Sequence, residues 1–337
     1  MKILINSYNK VFQNEAGGVQ MRIKKFFHLL NGVEHEVKLF DKWNDNISDY
    51  DILHTFKLSL DDYQLIAYAK SKGIPIVISS VVPQEGSLKI KINLWISKLL
   101  PIHTAYYFSK RMLDMADVIV AQTNKESEFI STNYKVSKAK IKVIPNGVSI
   151  ENNVSDIIFS KINIHKPYVL QVGRFDENKN QINVIRALKN SNIPVVFIGG
   201  ADPSDLEYYE LCKKEATDNM FFLGWIKNDD PILSSAYANA QVVVLPSHKE
   251  IFGNSLIEGG AYGANLVVTD ELPIYDWGIG DYCNQINPKD IVDIKNKIKE
   301  AFYSSKNDKL KTIINEKFSW NTILEEHINL YRNIIKT

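Results

Sequence analysis

Short runs of nearly continuous apolar residues recur along the chain. They fall at Lys2–Tyr8, His35–Phe40, Asp51–Phe56, Ile74–Ser79, Asp117–Thr123 and Ile141–Ile144. A second series follows at Tyr168–Val172, Pro194–Gly199, Met220–Leu223, Gln241–Pro246 and Ala264–Asp270. Runs without apolar–polar alternation are what strands buried on both faces of a parallel sheet require. Between several of them the apolar positions switch to helical spacing, as in Val19, Ile23, Phe26, Phe27 and Leu30. Alternating strands and helices predict βαβ units, and two such series predict two doubly wound α/β domains. The break falls after Pro145-Asn146-Gly147-Val148, where Glu151–Lys166 is polar and irregular. The predicted domains are therefore residues 1–148 and 149–318. A last helix, from about Trp320 to Ile335 within residues 319–337, lies beyond the second series and is expected to return to the first domain.

Composition changes this picture little. With 45% hydrophobic and 23% charged residues among 337, the chain is neither disordered nor collagen-like. No stretch approaches the ~20 apolar residues that span a bilayer, and the opening M-K-I-L-I-N-S-Y-N is too short for a secretory signal. Cys212 and Cys283 lie far apart with no C-x-x-C pairing, which argues against a disulfide framework or a structural zinc site. The expected location is the cytoplasm. Charge changes the picture more. Residues 1–86 balance, with 10 basic and 10 acidic side chains, whereas residues 87–150 carry 10 against 4. A local basic excess points to phosphate or an anionic membrane surface; a solvated lysine-rich face is the plainer account.

In open α/β sheets ligands bind beyond the carboxyl ends of the strands, so the informative residues should follow the apolar runs. After the first run comes Glu15-Ala16-Gly17-Gly18-Val19, where two glycines admit close approach and a helix start favours phosphate. This is not G-x-G-x-x-G, which disfavours a nicotinamide dehydrogenase. The second series opens with Gly173-Arg174-Phe175-Asp176-Glu177-Asn178-Lys179-Asn180. Arg174 and Lys179 leave one strand end together and suit a diphosphate; the alternative is a surface loop with Arg174 paired to Asp176 or Glu177. After Q-V-V-V-L-P comes His248-Lys249-Glu250-Ile251-Phe252-Gly253-Asn254-Ser255-Leu256-Ile257-Glu258. It offers two carboxylates for sugar hydroxyls and backbone donors for phosphate. For Glu258 a capping box, Ser255-x-x-Glu258, is the competing reading.

Together these segments resemble the retaining glycosyltransferases of the GT-B fold, family 4 (glycosyl transferases group 1). The family's E-x-F-G-x-x-x-x-E corresponds to Glu250 through Glu258, and its G-R-x-x-x-x-K to Gly173, Arg174 and Lys179. Its P-N-G-V corresponds to Pro145–Val148, its G-G-V to Gly17–Val19 and its F-S-W to Phe318–Trp320. The resemblance runs from residue 1 to about 335 and implies two Rossmann-like domains facing across a cleft, the first for the acceptor and the second for a nucleotide-diphosphate sugar. It implies that Arg174 and Lys179 hold the diphosphate as it leaves and that Glu250 faces the donor sugar. Phe252, Gly253, Asn254 and Ser255 would bind the sugar or phosphate, Glu258 the ribose, and Gly17, Gly18 and Gly173 would lie against the phosphates. The nucleobase would meet Trp225 and Ile226. No metal and no cofactor is needed in this arrangement.

Where many members carry a histidine after the fourth strand, this chain reads Ile76-Val-Ile-Ser-Ser-Val-Val-Pro-Gln-Glu85. Ser79, Ser80, Gln84 and Glu85 are then candidates near the acceptor, with His54 and His103 as the neighbouring histidines. The expectation is a metal-independent, retaining transferase acting on a saccharide or lipid-linked acceptor in surface polysaccharide assembly (O-antigen, capsule or lipopolysaccharide). A GT-B-fold nucleotide-sugar epimerase and a non-catalytic nucleotide-sugar-binding protein are the alternatives. Nucleic acid is not an expected partner. Residues 87–111 interleave Leu88, Ile92, Trp95, Ile96, Leu99 and Leu100 with lysines. They form either a core helix or an interfacial helix touching anionic membrane at the inner face of the cytoplasmic membrane.

Overall fold

The structure is a computed structural model that describes all residues except 14–17, 33–34, 83, 85, 152–153, 164–166, 203–204 and 337. The chain forms two compact units, Met1–Gly147 with Trp320–Thr337, and Val148–Ser319.

The first unit holds six parallel strands: β1 (Lys2–Ser7), β2 (Glu36–Leu39), β3 (Ile52–Phe56), β4 (Ile76–Ser79), β5 (Val118–Ala121) and β6 (Ile141–Val143). Their order is β2-β1-β3-β4-β5-β6. Strand residues such as Ile52, Leu53, Ile76, Val77 and Ile78 have no accessible surface, the reason their sequence is apolar without alternation. The connecting helices are α1 (Gly18–Asn31), α2 (Tyr63–Ser71), α3 (Ser87–Leu99), α4 (Ala105–Met115) and α5 (Asn124–Tyr134). Apolar side chains of α2, α4 and α5 join one core, with Ile66, Met112, Leu113 and Ile130 against Leu4, Leu53, Ile78 and Ile119. The opposite core takes Ile23, Phe26 and Leu30 of α1 and Trp320, Ile323, Leu324 and Tyr331 of the last helix. A Cβ on Gly147 would stand 2.4 Å from the Trp320 ring, so glycine there lets that helix begin against the sheet.

Only part of α3 is core. Ile90 is buried, whereas Leu88, Ile92, Trp95 and Leu99 are 71%, 46%, 62% and 63% exposed. The core-helix account of this segment therefore fails for that stripe.

The second unit repeats the plan with β7 (Val169–Val172), β8 (Val195–Ile198), β9 (Met220–Phe222), β10 (Val242–Leu245), β11 (Asn265–Thr269) and β12 (Cys283–Ile286). Their order is β12-β11-β10-β7-β8-β9, and every recorded strand pairing is parallel. The sequence patterning overlooks β12, a sheet-edge strand whose Cys283, Asn284 and Gln285 are only half-buried. The helices are α6 (Ile157–Ile162), α7 (Gln181–Leu188), α8 (Leu206–Glu215), α9 (Pro231–Asn239), α10 (Asn254–Ala261), α11 (Ile291–Tyr303) and α12 (Asp308–Phe318); α13 (Trp320–Ile335) completes the first unit. Both cysteines, Cys212 on α8 and Cys283 on β12, are free. No helix among the described residues is long and apolar enough to cross a membrane.

Candidate functional site

In the second sheet β7 and β10 are neighbours, and the chain leaves them in opposite lateral directions, toward β8 and toward β11. A crevice opens at such a reversal, beyond the carboxyl ends of the two strands. The loops after β7 and β10 flank it, and these carry the residues singled out from the sequence.

Asn178 ties the two loops together. Its carbonyl accepts the His248 N–H at 2.8 Å, its side-chain oxygen accepts the Lys249 N–H at 2.9 Å, and its amide donates to the Lys249 carbonyl at 3.0 Å. Asn180, left-handed at φ 58°, donates to the Pro246 and Pro288 carbonyls at 3.0 and 2.7 Å. With the loops fixed, Lys179 Nζ reaches Glu250 Oε2 at 2.6 Å, both side chains mostly shielded from water. Ser247 Oγ donates to the same oxygen at 3.3 Å. Lys179 and Glu250, 71 positions apart, thus meet in one charge-assisted bond.

Arg174 stays half exposed. Its Nε lies 3.0 Å from carboxylate oxygens of both Asp176 and Asp202. The surface-pairing alternative is therefore realised with Asp176, not Glu177, and gains a second partner from the loop after β8. The other Asp176 oxygen accepts the Lys179 N–H at 2.8 Å and starts the short turn that aims Lys179. Glycine geometry sets the neighbourhood. At Gly199, φ 141°, a Cβ would stand 2.0 Å from the Gly173 carbonyl oxygen, so the two backbones touch only because the residue is glycine. Gly199 N–H donates to the Gly224 carbonyl at 2.8 Å. At Gly200 a Cβ would stand 2.1 Å from the Trp225 ring nitrogen, so the indole lies on the backbone beside the Arg174 loop. Trp225 is nevertheless 58% exposed, and with Ile226 it lines a recess of about 450 Å³.

The loop after β10 ends in Gly253 at φ 72°, where a Cβ would meet Leu245 at 2.7 Å. Gly253 is the N-cap of α10 and has no side chain with which to cap it. The capping box is thereby corrected: Asn254 and Ser255 are the first two helical residues, and Glu258 stands a full turn inside. Instead, Glu258 Oε2 accepts the Tyr237 hydroxyl at 2.7 Å. The residue keeps some accessible surface, but its carboxyl lies deep, and burial pushes it up to about 7. Phe252 is buried against the Trp277 and Phe318 rings, so only its backbone faces outward chemistry.

The first unit treats its predicted residues differently. Gly17 and Glu85 lie outside the described residues, and Gly18 is the exposed first residue of α1. Ser80 is fully buried, its hydroxyl bonded to the Val120 carbonyl at 3.1 Å and to Glu126 Oε1 at 3.0 Å. That places it in the framework that joins the ends of β4 and β5. The Gln84 amide is buried without a hydrogen-bond partner among the described residues, and His103 is exposed and stacked on Tyr107 at 4.3 Å. His54 is corrected to a framework role. It is wholly buried between the Tyr331 hydroxyl (2.6 Å) and Ser79 Oγ (2.8 Å), and burial holds its imidazole well below the usual range.

Sequence reasoning missed Asn178, Asp202, Gly199, Gly200 and Tyr237, and in the first unit Glu126 and Arg22. Glu126 accepts Ser80 Oγ, the Val82 N–H (2.9 Å) and the Gln122 N–H (2.7 Å), fastening the ends of β4 and β5. Burial pushes it up to about 7. Arg22 is buried over the Phe56 ring at 5.4 Å, and burial lowers its guanidinium to about 10. The Gly-Gly after β8 was the signal available; the others are polar residues whose spacing carries no motif. Among the described residues no group of three or more His, Cys, Asp or Glu side chains is placed to hold a metal ion.

The family model described as Glycosyl transferases group 1 matches residues 155–317, and that described as Glycosyltransferase Family 4 matches residues 4–152. The chain is similar to the O-antigen chain mannosyltransferase C of Escherichia coli, 23% identical over 68% of this chain and 59% of that protein. It is also similar to the UDP-Gal:alpha-D-GlcNAc-diphosphoundecaprenol alpha-1,3-galactosyltransferase of Escherichia coli, 26% identical over 66% of this chain and 58% of that protein. The chain therefore spans less than two thirds of the length of these curated relatives. Among solved structures, the sucrose-phosphate synthase of Thermosynechococcus elongatus superposes with a TM-score of 0.79 at 18% identity, covering 100% of both chains. At that identity the likeness speaks for the fold, which is the two-sheet α/β architecture of the GT-B enzymes.

Proposed function

The chain belongs to the glycosyltransferases of family 4 and group 1, and from that premise we propose that it moves a sugar from a nucleotide-diphosphate donor to a saccharide or lipid-linked acceptor. The observation that carries the reading is the Lys179–Glu250 pair, with Arg174 on the same loop as Lys179, at the strand reversal of the second unit.

Each element has a task in that reaction. Lys179 and Arg174 exchange their carboxylate partners for the donor diphosphate, and they stabilise the charge that grows on it as the sugar departs. Two fixed cations supply this without a divalent ion, so turnover is expected to survive chelators. Glu250, released from Lys179 by the same exchange, faces the sugar; Glu258 accepts from the ribose hydroxyls. Trp225 and Ile226 take the base. The sugar is transferred with retention of its anomeric configuration. The acceptor belongs to the first unit and the pathway to surface polysaccharide assembly, in line with the O-antigen and undecaprenol-linked names of the relatives. The cytoplasmic face of a membrane is where such a lipid-linked acceptor would be met.

A panel of UDP-, GDP- and ADP-sugars tests the donor. A true donor at about 100 times its Kd should stabilise the protein by about 2.7 kcal/mol. The stabilising donor should then be hydrolysed slowly, with EDTA present, to the nucleoside diphosphate and a sugar of unchanged anomeric configuration. Stabilisation by none of the three, or release of an epimerised nucleotide sugar, would overturn the proposal.

A further inference from the structure

The surface of α3 poses a separate question. Leu88, Ile92, Trp95 and Leu99 recur at i, i+4, i+7 and i+11, so they form one stripe along the helix. All four are exposed, and Leu100 and Ile102 continue the apolar edge at 52% and 49% exposure. Ile90, on the other side, is buried and holds the helix on its unit. An apolar stripe of this size, left in water, marks a surface that meets something else.

Charge identifies the partner. From Gly86 to Leu113 the sequence contains no acidic residue, and Lys89, Lys91, Lys98, Lys110 and Arg111 are its five fixed cations. Lys89, Lys91 and Lys98 are exposed beside the stripe and make no ion pair among the described residues. A second copy of the chain docked through this face would bring two sets of lysines together, which like charge opposes. An anionic lipid surface satisfies both features, taking the apolar edge among its acyl chains and the lysines among its headgroups. Thirteen residues of helix, about 20 Å long, cannot span the ~30 Å hydrocarbon layer, so the helix would lie along the interface. We infer that the outward stripe of α3 and the Leu100–Ile102 edge dock this protein on an anionic membrane. The use of such docking rests on the proposed lipid-linked acceptor, but the surface itself does not.

The test needs no nucleotide sugar. The purified chain is sedimented at low salt with vesicles of phosphatidylcholine alone and of equal parts phosphatidylcholine and phosphatidylglycerol. Binding to the mixed vesicles should exceed binding to neutral ones and fall as salt rises. Each lysine near an anionic surface is worth about fivefold, so Lys89→Glu/Lys91→Glu/Lys98→Glu should weaken binding by at least ~100-fold. Trp95→Ser/Leu99→Ser, with all charges kept, should weaken it as well, and melting curves of both variants should match the parent because the replaced side chains are exposed. Equal recovery in the supernatant with both vesicle types overturns the inference. So does binding that ignores the Trp95→Ser/Leu99→Ser change, or a parent dimer in sedimentation velocity that this variant dissolves without any vesicle binding. If vesicles bind as expected and no donor is recognised, the docking stands and the transferase reading falls.

Discussion

Lys179 and Arg174, at the strand reversal of the second unit, each already have a carboxylate partner. Lys179 sits on Glu250, and Arg174 lies between Asp176 and Asp202. In the proposed reaction diphosphate binding is then an exchange of partners, and removing either cation would leave a shielded carboxylate facing a second anion. Arg174→Ala and Lys179→Ala are each expected to lower kcat on the order of 10²–10³-fold, with melting temperature nearly unchanged for the exposed Arg174. Steady-state kinetics with the donor found by thermal shift check this; an Arg174→Ala enzyme with parental kcat would leave Arg174 as a surface ion pair. Glu258 makes a different prediction. Burial pushes it from 4.5 to about 7, so in the fold it ionises only near neutrality. Its contribution to stability is complete below the unfolded value of 4.5 and is lost as pH rises through about 7, on the order of 3 kcal/mol. Donor affinity should run the opposite way, rising through that range as the carboxylate forms to receive the ribose hydroxyls. In Glu258→Gln both dependences should flatten, as melts and donor titrations between about pH 5 and about pH 8 would reveal. The role of Glu258 was half legible in the sequence. Its spacing from Glu250 marked it, but Ser255-x-x-Glu258 spacing also arises a turn inside a helix capped by a left-handed glycine, and that is the case here.

Whole elements were the more legible the more completely they are buried. Ile76–Ser79 and Val242–Leu245 are shielded on both faces, and both read as strands from apolar content alone. Cys283–Ile286 did not, because an edge strand tolerates polar residues such as Asn284 and Gln285. The spacing of α3 showed that it is a helix but was silent on which apolar stripe faces inward, since Ile90 and Leu88 differ only in where the rest of the fold lies. Contacts between distant loops carry no periodicity, and Asn178 is the clearest case. Its three hydrogen bonds hold the loop after β7 to the loop after β10. Asn178→Ala should therefore loosen the Lys179–Glu250 geometry and lower kcat on the order of tenfold, while donor affinity shifts less. Asn178→Asp, which keeps the acceptor for the Lys249 N–H, should recover part of the loss; equal kcat in Asn178→Ala and the parent would make the clip incidental.

At the scale of the molecule, two sheets with separate cores give two units whose stabilities need not be equal. The free cysteines supply a way to tell them apart. Both lie in the second unit, Cys212 without accessible surface and Cys283 half-buried, and burial pushes each thiol up to about 12. The thiolate is the reactive form, so alkylating reagents should leave the native chain almost untouched at neutral pH. Labelling then proceeds only when the second unit opens, whatever the first unit does. In rising urea, alkylation followed by mass spectrometry should report the opening of the second unit alone, and circular dichroism should report both. A saturating nucleotide sugar should delay alkylation to higher urea while α1 and α3 unfold where they did before. Fast alkylation of the native chain would mean that the second core is open to reagent. Two buried sulfurs thus turn an otherwise featureless melt into a gauge of which half of the protein the donor holds.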